Sequence, residues 1–279
     1  MRNLIILFFM PMLLISVGQT MAQSHESESP YRVGVSLGNS FTGYREETYS
    51  TINMYLNALT FIVDGNIEKR NLFHSFNIGF FSGNSEMANP QTAVLLREID
   101  HQSGETGYFA ALPQFTAIRA NIEYALDYRL WGNDTFPGYL GGAFRTDAYL
   151  RFANYPSITG LVTFGLHVSQ KWFINSENSF ILSIGLPFIG YGFRPAWAGA
   201  DGATLKYIEE NPLKLLTELG HFISIHNYWA LFGDLKYQHR INNLLSLYSG
   251  LGFELSRINI PRPRMDSILR LNAGIAFNF

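Results

Sequence analysis

Two histidines and two glutamates late in the chain are the first residues whose types could do chemistry. His221 and His226, with Glu209 and Glu210 just before them, could make an acid/base pair or hold a metal. Their spacing argues against zinc on a helix, where paired histidines sit at i and i+4 on one face. At the entry of an expected strand, an odd spacing puts the two on opposite faces. His74-Ser75-Phe76-Asn77 sets a base beside a hydroxyl. A nucleophile must lie within hydrogen-bond reach of its base, yet neighbouring strand residues point apart. Asp127 with Glu123, and Asp147 with Arg145 and Arg151, are carboxylates among cations, which suits ion pairing better than proton transfer. Gly138-Tyr139-Leu140-Gly141-Gly142 is no phosphate loop, because it lacks the following Lys-Ser/Thr and opens a strand. The sequence therefore yields no catalytic residue, no metal ligand set and no cofactor motif, and an enzyme is not the leading expectation.

Composition says what must position these residues. Of 279 residues, 47% are hydrophobic and 15% aromatic, with 23 Phe and 15 Tyr. Only 15% are charged, against about 25% in an ordinary soluble domain. The absence of Cys excludes disulfides, thiolate sites and a lipid-modified N-terminal Cys. A net charge of −2 argues against nucleic acid as a partner.

Arg2 precedes an apolar run from Leu4 to Val17, and Thr20-Met21-Ala22 fits a cleavage site. That is the pattern of a secretory signal peptide over 1–22. Pro11 and the short run argue against a membrane-anchoring helix. The acidic, Ser-rich stretch that follows makes 23–30 an expected periplasmic lead-in. Beyond it, the longest apolar stretch, Phe180 to Phe193, is interrupted by Ser183, Pro187 and glycines. A spanning helix needs about 20 apolar residues. The other spanning solution is a closed barrel, whose strands need only about 10 residues of alternating character.

The alternation is there. Leu269, Leu271, Ala273, Ile275, Phe277 and Phe279 share one face, opposite Arg270, Asn272, Gly274, Ala276 and Asn278. Ile118, Ala120, Ile122, Tyr124, Leu126, Tyr128 and Leu130 face away from Arg119, Asn121, Glu123, Ala125, Asp127 and Arg129. Strands are expected near 31–41, 53–63, 71–82, 110–131, 138–152, 157–173, 178–191, 222–240, 244–257 and 266–279. Short connections at 64–70, 132–137, 175–178 and 241–243 carry turn residues such as Asp64-Gly65-Asn66 and Gly132-Asn133-Asp134. The alternate connections, 42–52, 83–109, 192–221 and 258–265, are longer, and only 153–156 is short. The expectation is an all-β, antiparallel, up-and-down transmembrane barrel over 31–279 with about ten strands. Eight or twelve stay open because 192–221 does not parse.

Carried through, the alternation turns Arg119, Glu123, Asp127, Arg129, Arg145, Asp147, Arg151, Lys171, Asp234, Lys236, Arg240, Glu254 and Arg270 inward, with His167, His226 and Gln238. Gly34, Ser36, Gly38, Ser75, Asn77, Gly79, Gly250, Gly252 and Gly274 leave space opposite them. Mixed charge at close quarters implies ion pairs that fill the lumen. A wide aqueous pore takes about sixteen strands. Trp131, Trp172 and Phe279 are expected at the turn rim, and Trp229, Phe152 and Phe188 toward the loop side.

The ending Leu271, Ala273, Ile275, Phe277, Phe279 resembles the last strand of bacterial outer-membrane β-barrel proteins. The resemblance implies the bacterial outer membrane as location. It implies Phe277 and Phe279 as an assembly signal, and outer-membrane lipid and the barrel-assembly machinery as partners. Its many tyrosines and Asp234-Leu235-Lys236-Tyr237 loosely resemble small barrels of Bacteroidota. The His74 segment departs from the His-x-Ser-Asn pattern of the outer-membrane phospholipase. The outer-membrane aspartyl-type proteases carry Asp and His at the outer rim, which keeps Glu209, Glu210, His221 and His226 as outer-rim candidates. Three roles follow: a structural or loop-interacting barrel with a mostly closed lumen, a narrow porin-like passive channel, or a rim enzyme acting on lipid or peptide. No ligand is named by the sequence.

Overall fold

The computed structural model describes residues 31–46, 50–87, 94–99, 106–111, 115–152, 157–194, 217, 220–260 and 263–279. The expected leader, the lead-in, and Glu209 and Glu210 lie outside them. Among the described residues thirteen strands follow in order. They are β1 (Tyr31–Glu46), β2 (Ser50–Lys69), β3 (Leu72–Met87), β4 (Val94–Ile99), β5 (Thr106–Ala111), β6 (Thr116–Trp131) and β7 (Gly138–Phe152). Then come β8 (Ser157–Phe173), β9 (Asn178–Phe193), β10 (Gly220–Ser224), β11 (Tyr228–Arg240), β12 (Leu245–Ile258) and β13 (Arg264–Asn278).

The sheet closes on itself as a ten-strand antiparallel barrel, β10 and β11 sharing one place in the wall against β9. Each wall strand pairs with its chain neighbour, and β1 pairs with β13 from Arg32↔Asn278 to Glu46↔Arg264. The last backbone N–H, on Phe279, donates to the Tyr31 carbonyl at 2.9 Å. Pairing of β1 with β13 leaves the sheet no free first or last strand, the condition for a sheet in lipid. Alternation decides the faces. Leu37 is 68% and Leu59 73% exposed on the outside, while Ser36 and Ala58, their chain neighbours, are buried in the lumen. Tyr31, Phe279 and the tight turns lie at one end, here the turn end; the other is the loop end.

Four expectations are corrected. Asp64-Gly65-Asn66 is not a turn: β2 runs on to Lys69, and the chain reverses at Arg70-Asn71, with Arg70 at φ 56°. The ladder to β1 and β3 overrides the local turn chemistry, because Asp64 pairs with both Gly34 and Asn77. The strand expected at 110–131 begins at Thr116, and before it lie the end of β3 and the separate antiparallel pair β4–β5, which reaches Ala111. The strand expected at 222–240 is broken at 225–227. His226 sits exposed in that break and not in the lumen. Opposite it, Pro187 of β9 has no N–H to offer the ladder.

Candidate functional site

The lumen is the one place where this fold gathers chemistry-bearing side chains, and β6 and β7 supply its centre. In their register Glu123 faces Arg145 and Asn121 faces Asp147. Arg119 reaches Asp147 at 2.6 Å, and Arg145 holds the other oxygen of the same carboxylate at 2.8 Å. Both guanidiniums then cross the barrel to Glu254 of β12, Arg119 at 2.9 Å. Glu123 stands 3.8 Å from Arg145. These side chains are 6–17% exposed, so water screens them little and each charge must be met by the others. Glycine makes the room: a Cβ on Gly252 would lie 2.5 Å from Asp234 Oδ1 and 2.7 Å from Arg270 Nε. That space admits the Arg270–Asp234 pair at 3.2 Å.

Toward the turn end Asp64 collects a second group. Arg32 donates to it at 2.9 Å, Lys236 at 2.8 Å and the Tyr248 hydroxyl at 2.5 Å. Glu68 accepts from Lys171 and from the Tyr139 hydroxyl. Phe73 stacks on Tyr139 at 5.1 Å, with the Lys171 ammonium 4.6 Å above its ring. Asp127, His167 and Ser169 lie side by side and wholly buried, but not as a nucleophile and its base. Asp127 meets His167 Nδ1 at 2.7 Å, and Ser169 donates to Asp127 at 3.1 Å. An activated serine would instead bond the ring nitrogen that the carboxylate leaves free.

The loop end of the lumen is apolar, which the sequence reading did not foresee. Tyr44, Met54, Leu56, Ala58, Phe81, Phe115, Ala117 and Tyr149 form one buried cluster. Ile223, Tyr228 and Ala230, with Leu161 and Ile258, form another. The Arg151 guanidinium lies among Tyr44, Phe115 and Tyr149, 4.8 Å from the last ring. Arg264 stands over the same Tyr149 ring, also at 4.8 Å, and bonds Asp266 at 2.8 Å. Cavities along the axis measure about 20, 50 and 60 Å³, room for one to a few waters each.

Of the residues expected in the lumen network, Arg119, Glu123, Arg145, Asp147 and Glu254 come together, as do Asp234 with Arg270. Lys236 and Lys171 join groups centred on Asp64 and Glu68, and Asp127 pairs with His167. Arg129 is corrected: it turns to exposed Asp134 at 3.0 Å, at the turn rim. Arg240, at the end of β11, makes no side-chain ion pair among the described residues. Arg151 packs on aromatic rings, outside the central ion-pair layer. Asp64, Arg32, Glu68, Tyr139 and Tyr248 were missed. Continuing the alternation of Ala58, Thr60 and Ile62 past Val63 would have found Asp64. At the loop end His221 is half-buried and lines the 60 Å³ cavity, with no side-chain hydrogen bond among the described residues. His226 is exposed, in a different environment. Among the described residues no His, Asp and Glu group is placed to hold a metal.

No family model matches the chain, and no curated protein does. Solved structures do. The outer membrane protease OmpT of Escherichia coli superposes with a TM-score of 0.52 at 7% identity, covering 92% of this chain and 99% of that one. The fold is the bacterial outer-membrane β-barrel. An outer-membrane channel from Pseudomonas putida gives a TM-score of 0.42 at 10% identity, covering 93% of this chain and 99% of that one. The autotransporter translocator domain of Neisseria meningitidis gives 0.41 at 8%, covering 97% and 95%. Proteins of this outer-membrane fold include structural barrels, channels and a protease, so at these identities fold is what is shared.

Proposed function

We propose that this protein sits in the bacterial outer membrane as a barrel whose lumen is sealed to solutes, and that it acts through its loop end. The observation that carries this is Glu254 of β12 held by Arg119 and Arg145 from the facing wall. A passing ion would have to displace partners from charges that water barely reaches, at a cost of several kcal/mol per uncompensated ion. Below that layer the Asp64 and Glu68 groups repeat the obstacle, and above it stand the two buried apolar clusters. The exported leader at 1–22 and the assembly signal at Phe277 and Phe279 belong to the same proposal, with outer-membrane lipid and the assembly machinery as partners. Liposome swelling tests it. Vesicles holding the folded barrel should resist entry of arabinose as protein-free vesicles do; rapid swelling would favour the porin-like reading.

A further inference from the structure

The outer face of the wall carries two arginines where its apolar band ends. Arg45 of β1 lies opposite Met265 of β13, Met265 lies opposite Arg257 of β12, and Arg257 lies opposite Trp229 of β11. One row, Trp229, Arg257, Met265 and Arg45, thus crosses four neighbouring strands, and all four residues are exposed. Toward the turn end Leu255, Leu269 and Phe41 continue the same face, apolar and exposed. Barrels of this kind turn their short connections to the periplasm and their longer loops outward, so the row meets the outer leaflet. An exposed Trp in the row marks the headgroup level.

Among the described residues neither guanidinium is paired with a carboxylate. Arg257 is oriented by a neutral partner, its Nε donating to Asn259 Oδ1 at 2.9 Å. Arg45 makes no side-chain hydrogen bond or ion pair among them. Asp266, beside Met265, turns inward to Arg264. Two strands apart, the arginines stand roughly 10 Å from each other at Cα, and their long side chains can meet over Met265. Directly toward the turn end an open groove of about 410 Å³ runs along the wall, lined by Phe41, Gly43, Tyr55, Ser267 and Leu269. Its floor is small: a Cβ on Gly43 would come within 2.9 Å of Ser267 Oγ. Glu86, which also lines the groove, stands on β3, with β2 between it and β1.

We propose that Arg45 and Arg257 together hold the phosphate of one outer-leaflet lipid, and that the groove over Gly43 seats the first part of its acyl chain. Guanidinium–phosphate bonds are charge-assisted, and two planar forks converging on one phosphate add direction to the charge. The apolar walls of the groove match a chain and would gain nothing from a free phosphate. The proposal rests on the reading that outer-membrane lipid surrounds the barrel. It lies wholly on the outer face, so a conducting lumen would leave it untouched.

The folded barrel in detergent micelles is titrated with dioleoyl phosphatidic acid, and bound lipid is counted by native mass spectrometry. The unmodified protein should take up one lipid saturably. Arg45→Gln combined with Arg257→Gln should weaken that binding at least tenfold. Ser267→Leu, which fills the groove, should weaken it several-fold. Arg129→Gln, at the turn rim, should leave it unchanged. Heat-modifiable migration checks that each variant is folded. Dioleoylglycerol, which has the chains without the phosphate, should not bind saturably, and excess inorganic phosphate should not displace the lipid. Absence of saturable binding by the unmodified barrel would overturn the proposal. So would equal binding by the double arginine variant or by Ser267→Leu, an equal loss in Arg129→Gln, equal binding of dioleoylglycerol, or displacement by inorganic phosphate, which would assign the arginines to a free anion.

Discussion

Arg119 on β6 meets Glu254 on β12 at 2.9 Å, across the full width of the barrel. Two walls that never pair in the sheet are thereby tied through the lumen, and Arg145 makes the same crossing. Beside the tie, Gly252 leaves room for the Arg270–Asp234 pair and Gly250 for Asn272.

Removing Glu254 should therefore open and weaken the barrel together. Glu254→Gln leaves two buried guanidiniums with one carboxylate fewer to meet them. Breaking a buried pair costs roughly 3–5 kcal/mol, readable as a lower urea midpoint of the folded barrel in micelles. The variant should also pass more ionic current than the unmodified protein. An unchanged midpoint and unchanged current would mean the pairs carry neither stability nor closure.

Asp64 holds three donors, so its loss should be felt as strongly. Asp64→Asn leaves Arg32 and Lys236 facing a neutral amide, and a drop of roughly 3–5 kcal/mol is expected. Thermal loss of the fast-migrating band on unboiled gels measures it. The residue was hidden in the sequence behind an Asp-Gly-Asn run, so this variant also tests the corrected extent of β2.

Phe279 should matter to assembly more than to stability. Its side chain is 65% exposed on the outer face. Phe279→Ala should lower the amount of folded barrel in the outer membrane several-fold. The refolded protein in vitro should change by about 0.5 kcal/mol or less, as exposed substitutions do. Normal levels of heat-modifiable barrel in cells would contradict the terminal-strand reading.

The rim should be catalytically silent. Phospholipid and peptide substrates incubated with the folded protein should stay intact, assayed by release of labelled fragments. Turnover that disappears in His221→Ala would overturn this.

The architecture was legible because a barrel in lipid enforces a period of two along every strand. Runs such as Ile118 to Leu130 carry that period with charge on one face only. Strand ends were harder. Local turn chemistry at Asp64 and the loss of a ladder donor at Pro187 act against each other: one looked like a break and is a strand, the other looked like a strand and faces a break. Which charges meet was legible only as sign and side. That Arg145 reaches Glu254, and that Arg151 packs on aromatic rings, depends on the shape of the closed barrel. The apolar loop end was missed because inward Met54, Leu56 and Ile223 look like lipid-facing residues when alternation runs apolar on both faces.

Single-channel recording on the folded protein in planar bilayers tests the sealed lumen most directly. The account predicts a quiet baseline for the unmodified barrel, with discrete current steps appearing on Glu254→Gln. Reproducible steps from the unmodified protein, in bilayers where its folding is confirmed, would contradict it.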